Sequence, residues 1–119
     1  MEARRKFSRI KCKMNARVQI DNLLIIDATI TNISLKGAFF ELADHCVFRE
    51  GDKWHLKIRL PNSDISLNFR SEVIHASKKL VGVKFLHMDI DTMFHLRSLM
   101  EGRTSDPEKV ESEVELLYE

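Results

Sequence analysis

Cysteine is scarce in this chain. The two thiols, Cys12 and Cys46, stand in unrelated contexts without CxxC spacing, which argues against a disulfide framework or a zinc knuckle and leaves two reduced thiols as the expectation. Long apolar runs are missing as well: nothing approaches the ~18 consecutive apolar residues that a membrane span requires. Met1-Glu2-Ala3-Arg4-Arg5 leads into polar sequence where a secretory leader would need an apolar stretch, so a cytoplasmic location with no membrane span is expected. There is no internal repeat and no low-complexity segment. Aromatic residues make up only 8% of the chain. Phe39, Phe40, Phe69 and Phe85 fall at positions that read as core, and so does Trp54. Barrels that bind single-stranded nucleic acid carry aromatic platforms beside basic residues on an open face, so DNA is not an expected partner even though a basic segment could serve one.

What is present suits one compact domain with a short appendage: 119 residues, 44% hydrophobic and 31% charged. The net charge of +1 hides an asymmetry. Arg4, Arg5, Lys6, Arg9, Lys11, Lys13 and Arg17 face a single acid, Glu2, near the start, whereas Glu101, Asp106, Glu108, Glu111, Glu113, Glu115 and Glu119 face only Arg103 and Lys109 at the far end. A basic arm calls for an anionic partner.

The middle of the chain alternates apolar and polar residues at period two, the signature of half-buried strands. The alternation is cleanest in Trp54-His55-Leu56-Lys57-Ile58-Arg59-Leu60, where Lys53, Lys57 and Arg59 read as the wet face. It recurs with Met14, Ala16, Val18 and Ile20; with Leu24, Ile26, Ala28 and Ile30; with Ala38, Phe40 and Leu42; with Ile65, Leu67 and Phe69; and with Val81, Val83 and Phe85. Turn residues separate the runs at Asp21-Asn22, Ser34 to Gly37, Glu50 to Asp52, Pro61 to Asp64 and Ser77 to Lys79, as antiparallel hairpins require. Six short strands with one wet face would leave open edges unless the sheet curls shut, so a six-stranded antiparallel β-barrel is predicted.

After Phe85 the period becomes helical. Ile90, Met93, Phe94, Leu96 and Met100 form a stripe that starts at a capping Asp89 and stops at Gly102. Asp106-Pro107-Glu108 opens a second helix, with Val110, Val114 and Leu117 on one side. That helix is too short to stand alone, and it is expected to dock on this barrel or on a partner, a second copy of the chain among them. The organisation read from these patterns is a basic arm over 1–12, a barrel with its flanking helix over 13–101, and an acidic helical extension over 102–119.

Two short motifs carry the chemistry. Arg5-Lys6-Phe7-Ser8-Arg9 reads RxxxR, with Arg4 directly before it. Guanidinium groups grip phosphate bidentately and stack on base faces, although the segment on its own is also what a solvated basic tail looks like. Asn32-Ile33-Ser34-Leu35-Lys36-Gly37 reads [DN]xSxxG at the turn between the second and third strands. Asparagine can pair with the polar edge of a base, serine can serve a phosphate, and glycine lets a backbone come close to a ligand; the same residues also make an ordinary hairpin turn.

Taken together, RxxxR before the first strand, [DN]xSxxG between strands two and three, and Gly82-Val83-Lys84-Phe85-Leu86 as a last strand resemble the PilZ domain family over roughly residues 4 to 100. The resemblance implies a receptor for cyclic di-GMP and not an enzyme. It implies that Arg5 and Arg9 stack on guanine and hold phosphate, that Asn32 pairs with the guanine edge, that Ser34 adds a polar contact and that Gly37 permits close approach. Arg4 before the motif goes, in such domains, with an intercalated pair of ligand molecules. Asn32 stands where aspartate is frequent, and an amide accepts less strongly from guanine N–H groups. The signal would leave by ordering of the arginine arm and a changed surface for an effector protein. A scaffold without nucleotide binding is the competing reading, and it predicts that the arm arginines are missing. Asp44-His45-Cys46 cannot act as a catalytic set from consecutive positions, and His87 and His95 lack further ligands for a metal.

Overall fold

The computed structural model describes residue 7 and residues 9–43, 48–60, 62–104 and 106–117, with side chains as far as Val114. Asp44, His45 and Cys46 lie outside the described residues, as does the side chain of Leu117. Six strands, β1 (Ile10–Ile20), β2 (Leu24–Ile33), β3 (Gly37–Leu42), β4 (Lys53–Arg59), β5 (Ser66–Ser77) and β6 (Leu80–Met88), precede two helices, α1 (Ile90–Glu101) and α2 (Pro107–Leu117). The strands close into a barrel in the order β1-β2-β3-β6-β5-β4, and every neighbouring pair is antiparallel. β1 starts at Ile10, inside the segment read from sequence as arm.

Period two places Met14, Ala16, Val18, Ile30, Phe40, Leu56, Ile58, Leu67, Val81 and Val83 inside the barrel, all buried. Phe69 and Phe85 stack there with ring centroids 3.8 Å apart. The expected pattern fails at strand ends. Leu24 is 45% exposed because it sits at the tip of the β1–β2 hairpin, and Ile65 precedes β5 and is also exposed. Trp54 is only half-buried at the barrel rim. The turn between β1 and β2 puts Asp21 and Asn22 at φ 49° and 59°, the left-handed region that these two short polar residues tolerate best.

The stripe expected on α1 is narrower than five residues. Thr92, Met93, Leu96 and Met100 are buried, whereas Ile90 and Phe94 are 67% and 63% exposed. A helix turns roughly 100° per residue, so Ile90 and Phe94, four apart, share a face rotated away from the buried one. Thr92 docks the helix: its hydroxyl accepts the Asn68 backbone N–H of β5 at 3.0 Å. Asp89 caps the same turn by accepting the Thr92 N–H at 2.7 Å. α2 packs on α1 through the fully buried Val110, assisted by Arg97, which reaches Glu101 and Glu111 at 3.3 and 3.4 Å. The apolar side of α2 is therefore covered within the same chain at Val110, where a second copy was one expected partner. Among the described residues no helix is long and apolar enough to cross a membrane.

The cap gives a first testable consequence. Donation from the Thr92 backbone N–H, and next from its hydroxyl, holds the Asp89 carboxyl below the usual carboxylate range. A depressed folded-state pKa means that stabilisation is complete above the unfolded value of ~3.9 and fades as pH falls through the lower folded value. Asp89→Ala is expected to cost about 1 kcal/mol at neutral pH. The melting curves of wild type and variant should converge in strong acid, and a gap that persists there would show that the charge of the cap plays no part.

Candidate functional site

The turn that joins β2 to β3 is built by its own serine and glycine. Ser34 is buried, and its hydroxyl oxygen accepts the backbone N–H groups of Lys36 and Gly37 at 3.1 and 3.2 Å, while its own N–H donates to the Gly37 carbonyl at 2.8 Å. Ile33 and Leu35 point into the core with no exposed surface. The Lys36 carbonyl accepts the Phe85 N–H at 2.7 Å, which ties the turn to β6. A Cβ on Gly37 would run into the backbone carbonyl oxygen of Val83. The close approach that this glycine permits is thus that of β6 itself.

Asn32 is aimed outward by an irregularity. Ala28 and Ile30 point inward, so period two would send Asn32 into the core. The β2–β3 register shifts between Ile30 and Asn32, and Ile33 takes the inward position instead. Bulges of this kind re-aim side chains. β5 does the same where its register with β6 shifts between Val73 and His75: Val73 is buried, so period two would send His75 inward, but it pairs with Gly82 on the outer face instead.

An open cleft of about 340 Å³ lies over these features, lined by Arg9, Asn32, Ser34, Lys36, Gly37 and Lys84, with Phe39 and Ile74 also on its walls. Arg9, Lys36 and Lys84 are the charged groups of that lining and all are cations, as an anionic ligand needs. Arg9 is exposed and directly precedes the first residue of β1. Phe7 packs half-buried against the core, and the Lys36 ammonium lies 5.7 Å from its ring centroid, a cation–π contact that joins the RxxxR segment to the turn. The structure therefore brings Arg9, Asn32, Ser34 and Gly37 together; Arg4 and Arg5 lie outside the described residues. Lys36 and Lys84 join the cleft from within Asn32–Gly37 and Gly82–Leu86. Phe39 was misread as core: Ala38 and Phe40 on either side of it face inward and are buried, so it faces out.

Other places offer less. A larger cleft of about 710 Å³ is lined by both signs of charge, among them Arg17, Asp27, Glu41 and Arg59, and Arg17 is already paired with Asp27 at 3.5 Å. Burial pushes the Cys12 thiol up, against a smaller opposing effect of Arg103, which keeps it protonated and unsuited to nucleophilic work. Among the described residues no three His, Cys, Asp or Glu side chains are grouped to hold a metal ion.

Comparison with known proteins decides the family. Residues 3–102 match the PilZ domain. The chain belongs to the PilZ domain family. PilZ domains are non-catalytic receptors of cyclic di-GMP. Solved PilZ structures resemble the barrel closely at low identity. The PilZ domain of YcgR from Escherichia coli, solved with c-di-GMP, superposes with a TM-score of 0.67 at 14% identity over 84% of this chain and 91% of that one. The PilZ domain of CeSA from a cellulose-synthesizing bacterium gives 0.63 at 16% identity over 80% and 96%. The Bacillus subtilis inhibitor of motility MotI/DgrA gives 0.62 at 22% identity over 80% of this chain and 48% of its own. No curated protein matches the sequence.

Proposed function

We propose that this PilZ domain binds cyclic di-GMP in the cleft between Arg9 and the Asn32–Gly37 turn and signals by ordering its arginine arm, which alters a surface read by an effector protein. One observation carries the reading: Arg9, the outward-turned Asn32 and the turn glycine share one cleft whose charged lining is wholly cationic. Arg9 holds phosphate or stacks on a guanine, Asn32 pairs with the guanine edge through an amide that both donates and accepts, and Ser34 and Gly37 act by fixing the turn. On the family resemblance Arg5 joins Arg9, and Arg4 serves the second molecule of an intercalated ligand pair. The positive charges of Arg4, Arg5, Lys6 and Arg9 repel one another, and an anion that gathers them would couple binding to ordering. Phe7, held against Lys36, gives that movement a fixed pivot.

Calorimetric titration with cyclic di-GMP, GMP and cyclic AMP tests this. Cyclic di-GMP alone should bind, with a stoichiometry of one or two, more weakly as salt is added, and amide exchange of residues 4 to 9 should slow in the complex. If cyclic di-GMP produces no heat at low salt, a protein-interaction scaffold becomes the better account of the domain.

A further inference from the structure

One row of side chains crosses the outer face of four strands: Asn32 of β2 pairs with Phe39 of β3, Phe39 with Gly82 of β6, and Gly82 with His75 of β5. Gly82 is what lets the phenyl ring settle there. A Cβ on Gly82 would lie 2.6 Å from Phe39 Cε1 and 3.0 Å from Cζ, so the ring rests in the space that any other residue would occupy. Beyond it stands His75, with ring centroids 6.1 Å apart. The Thr31 hydroxyl donates to the Phe39 carbonyl at 3.4 Å, across the β2–β3 ladder. An aromatic ring on the wet side of a barrel, half-buried and bordering a cationic cleft beside an asparagine, needs an explanation that core packing does not supply.

We infer that Phe39, seated on Gly82 and backed by His75, is the aromatic platform against which a purine base of the bound nucleotide packs, next to the amide of Asn32. Every base has a π-face that can stack on a phenyl ring, while Asn32, its nearest neighbour across the ladder, is placed to address the polar edge of the same base. Platform and edge contact together would recognise a purine, whereas the cations of the cleft recognise phosphate alone. The inference rests on the nucleotide-binding reading given above, and the two can fail separately.

The test is calorimetry of the full chain with cyclic di-GMP on wild type, Phe39→Leu and Phe39→Trp, with a thermal melt of each. Leucine keeps apolar bulk and removes the ring, so affinity should drop roughly 5- to 100-fold, the range of base–aromatic stacking. Tryptophan should restore binding to within a few-fold, and its emission, read as the difference from wild type with Trp54 alone, should be quenched by ligand. Gly82→Ala provides a second variant if Phe39→Leu melts early: it lifts the ring without removing it and should also weaken binding. Wild-type binding with Phe39→Leu and Gly82→Ala unchanged within two-fold would overturn the platform and leave the receptor reading standing. A wild-type chain that takes up no cyclic di-GMP removes both.

Discussion

Arg9→Ala is expected to weaken cyclic di-GMP binding at least ten-fold while the melting temperature stays where it was. The side chain is exposed, but the backbone beside it is not free, because Ile10 opens β1 and is 8% exposed. The barrel therefore fixes the point at which Arg9 is attached, and fixing it in advance lowers the ordering cost of every bond it makes. Removal deletes up to two charge-assisted hydrogen bonds of ~1.5–3 kcal/mol each, and ~1.4 kcal/mol is one decade of affinity. Arg9→Lys should fall between the two, since an ammonium keeps the charge and loses the planar fork. Added salt should weaken wild type more than Arg9→Ala, because the variant has one phosphate partner fewer to screen. Unchanged affinity in Arg9→Ala with an unchanged circular dichroism spectrum would move the site elsewhere on the barrel.

The opposite outcome is expected at Gly37, where a single methyl group should damage the fold. In Gly37→Ala the new Cβ meets the Val83 carbonyl oxygen, and that atom belongs to the ladder in which Gly37 pairs with Lys84 and Ala38 with Val83. No rotamer change can relieve a clash with backbone, so β3 and β6 must part. Overpacking costs ~1–3 kcal/mol even where side chains can adjust, and a loss of this size lowers the melting temperature by roughly 5 to 15 °C in a domain of this length. Binding would fall with it, since separating β3 from β6 also strains the Phe85 to Lys36 hydrogen bond that holds the turn. Gly82→Ala is the control: its conflict is with the end of the Phe39 ring, which can swing away, so its melting temperature should stay near wild type. Differential scanning calorimetry separates the cases, and a wild-type melt for Gly37→Ala would mean that this glycine serves the ligand alone.

The strands were legible because alternation reports burial directly, and Leu56 and Ile58 sit inside the barrel as Trp54-His55-Leu56-Lys57-Ile58 predicts. The capped start of α1 was legible for a similar reason: Asp89 is both a preferred cap residue and three residues ahead of the N–H it accepts. The orientation of the site was not. Phe39 looked like core because aromatics mostly are, although the alternation of Ala38, Phe40 and Leu42 already placed it on the opposite face. Nor does the motif divide its own labour: that Ser34 and Gly37 build the turn, while Asn32 addresses the cleft, depends on hydrogen bonds and on the approach of β6, a strand more than forty residues further along. Lys84 joins the site for the same reason, through a ladder partner distant in sequence.

The irregularity in β2 works as a parity switch. Side chains along a strand have only two addresses, and one additional residue exchanges them for everything downstream. Ahead of it Ala28 and Ile30 belong to the interior; beyond it Ile33 does, and Asn32 is released to solvent. Smoothing the bulge while keeping Thr31 would return Asn32 to the oil side of the sheet and expel Ile33, a packing defect made without altering one residue of Asn32-Ile33-Ser34-Leu35-Lys36-Gly37, whereas deleting Thr31 would restore plain alternation with Asn32 still outward. Transplanting those six residues onto another six-stranded barrel would therefore carry over the letters but not the site, unless they were joined in the register that keeps Asn32 outward and Ile33 inward.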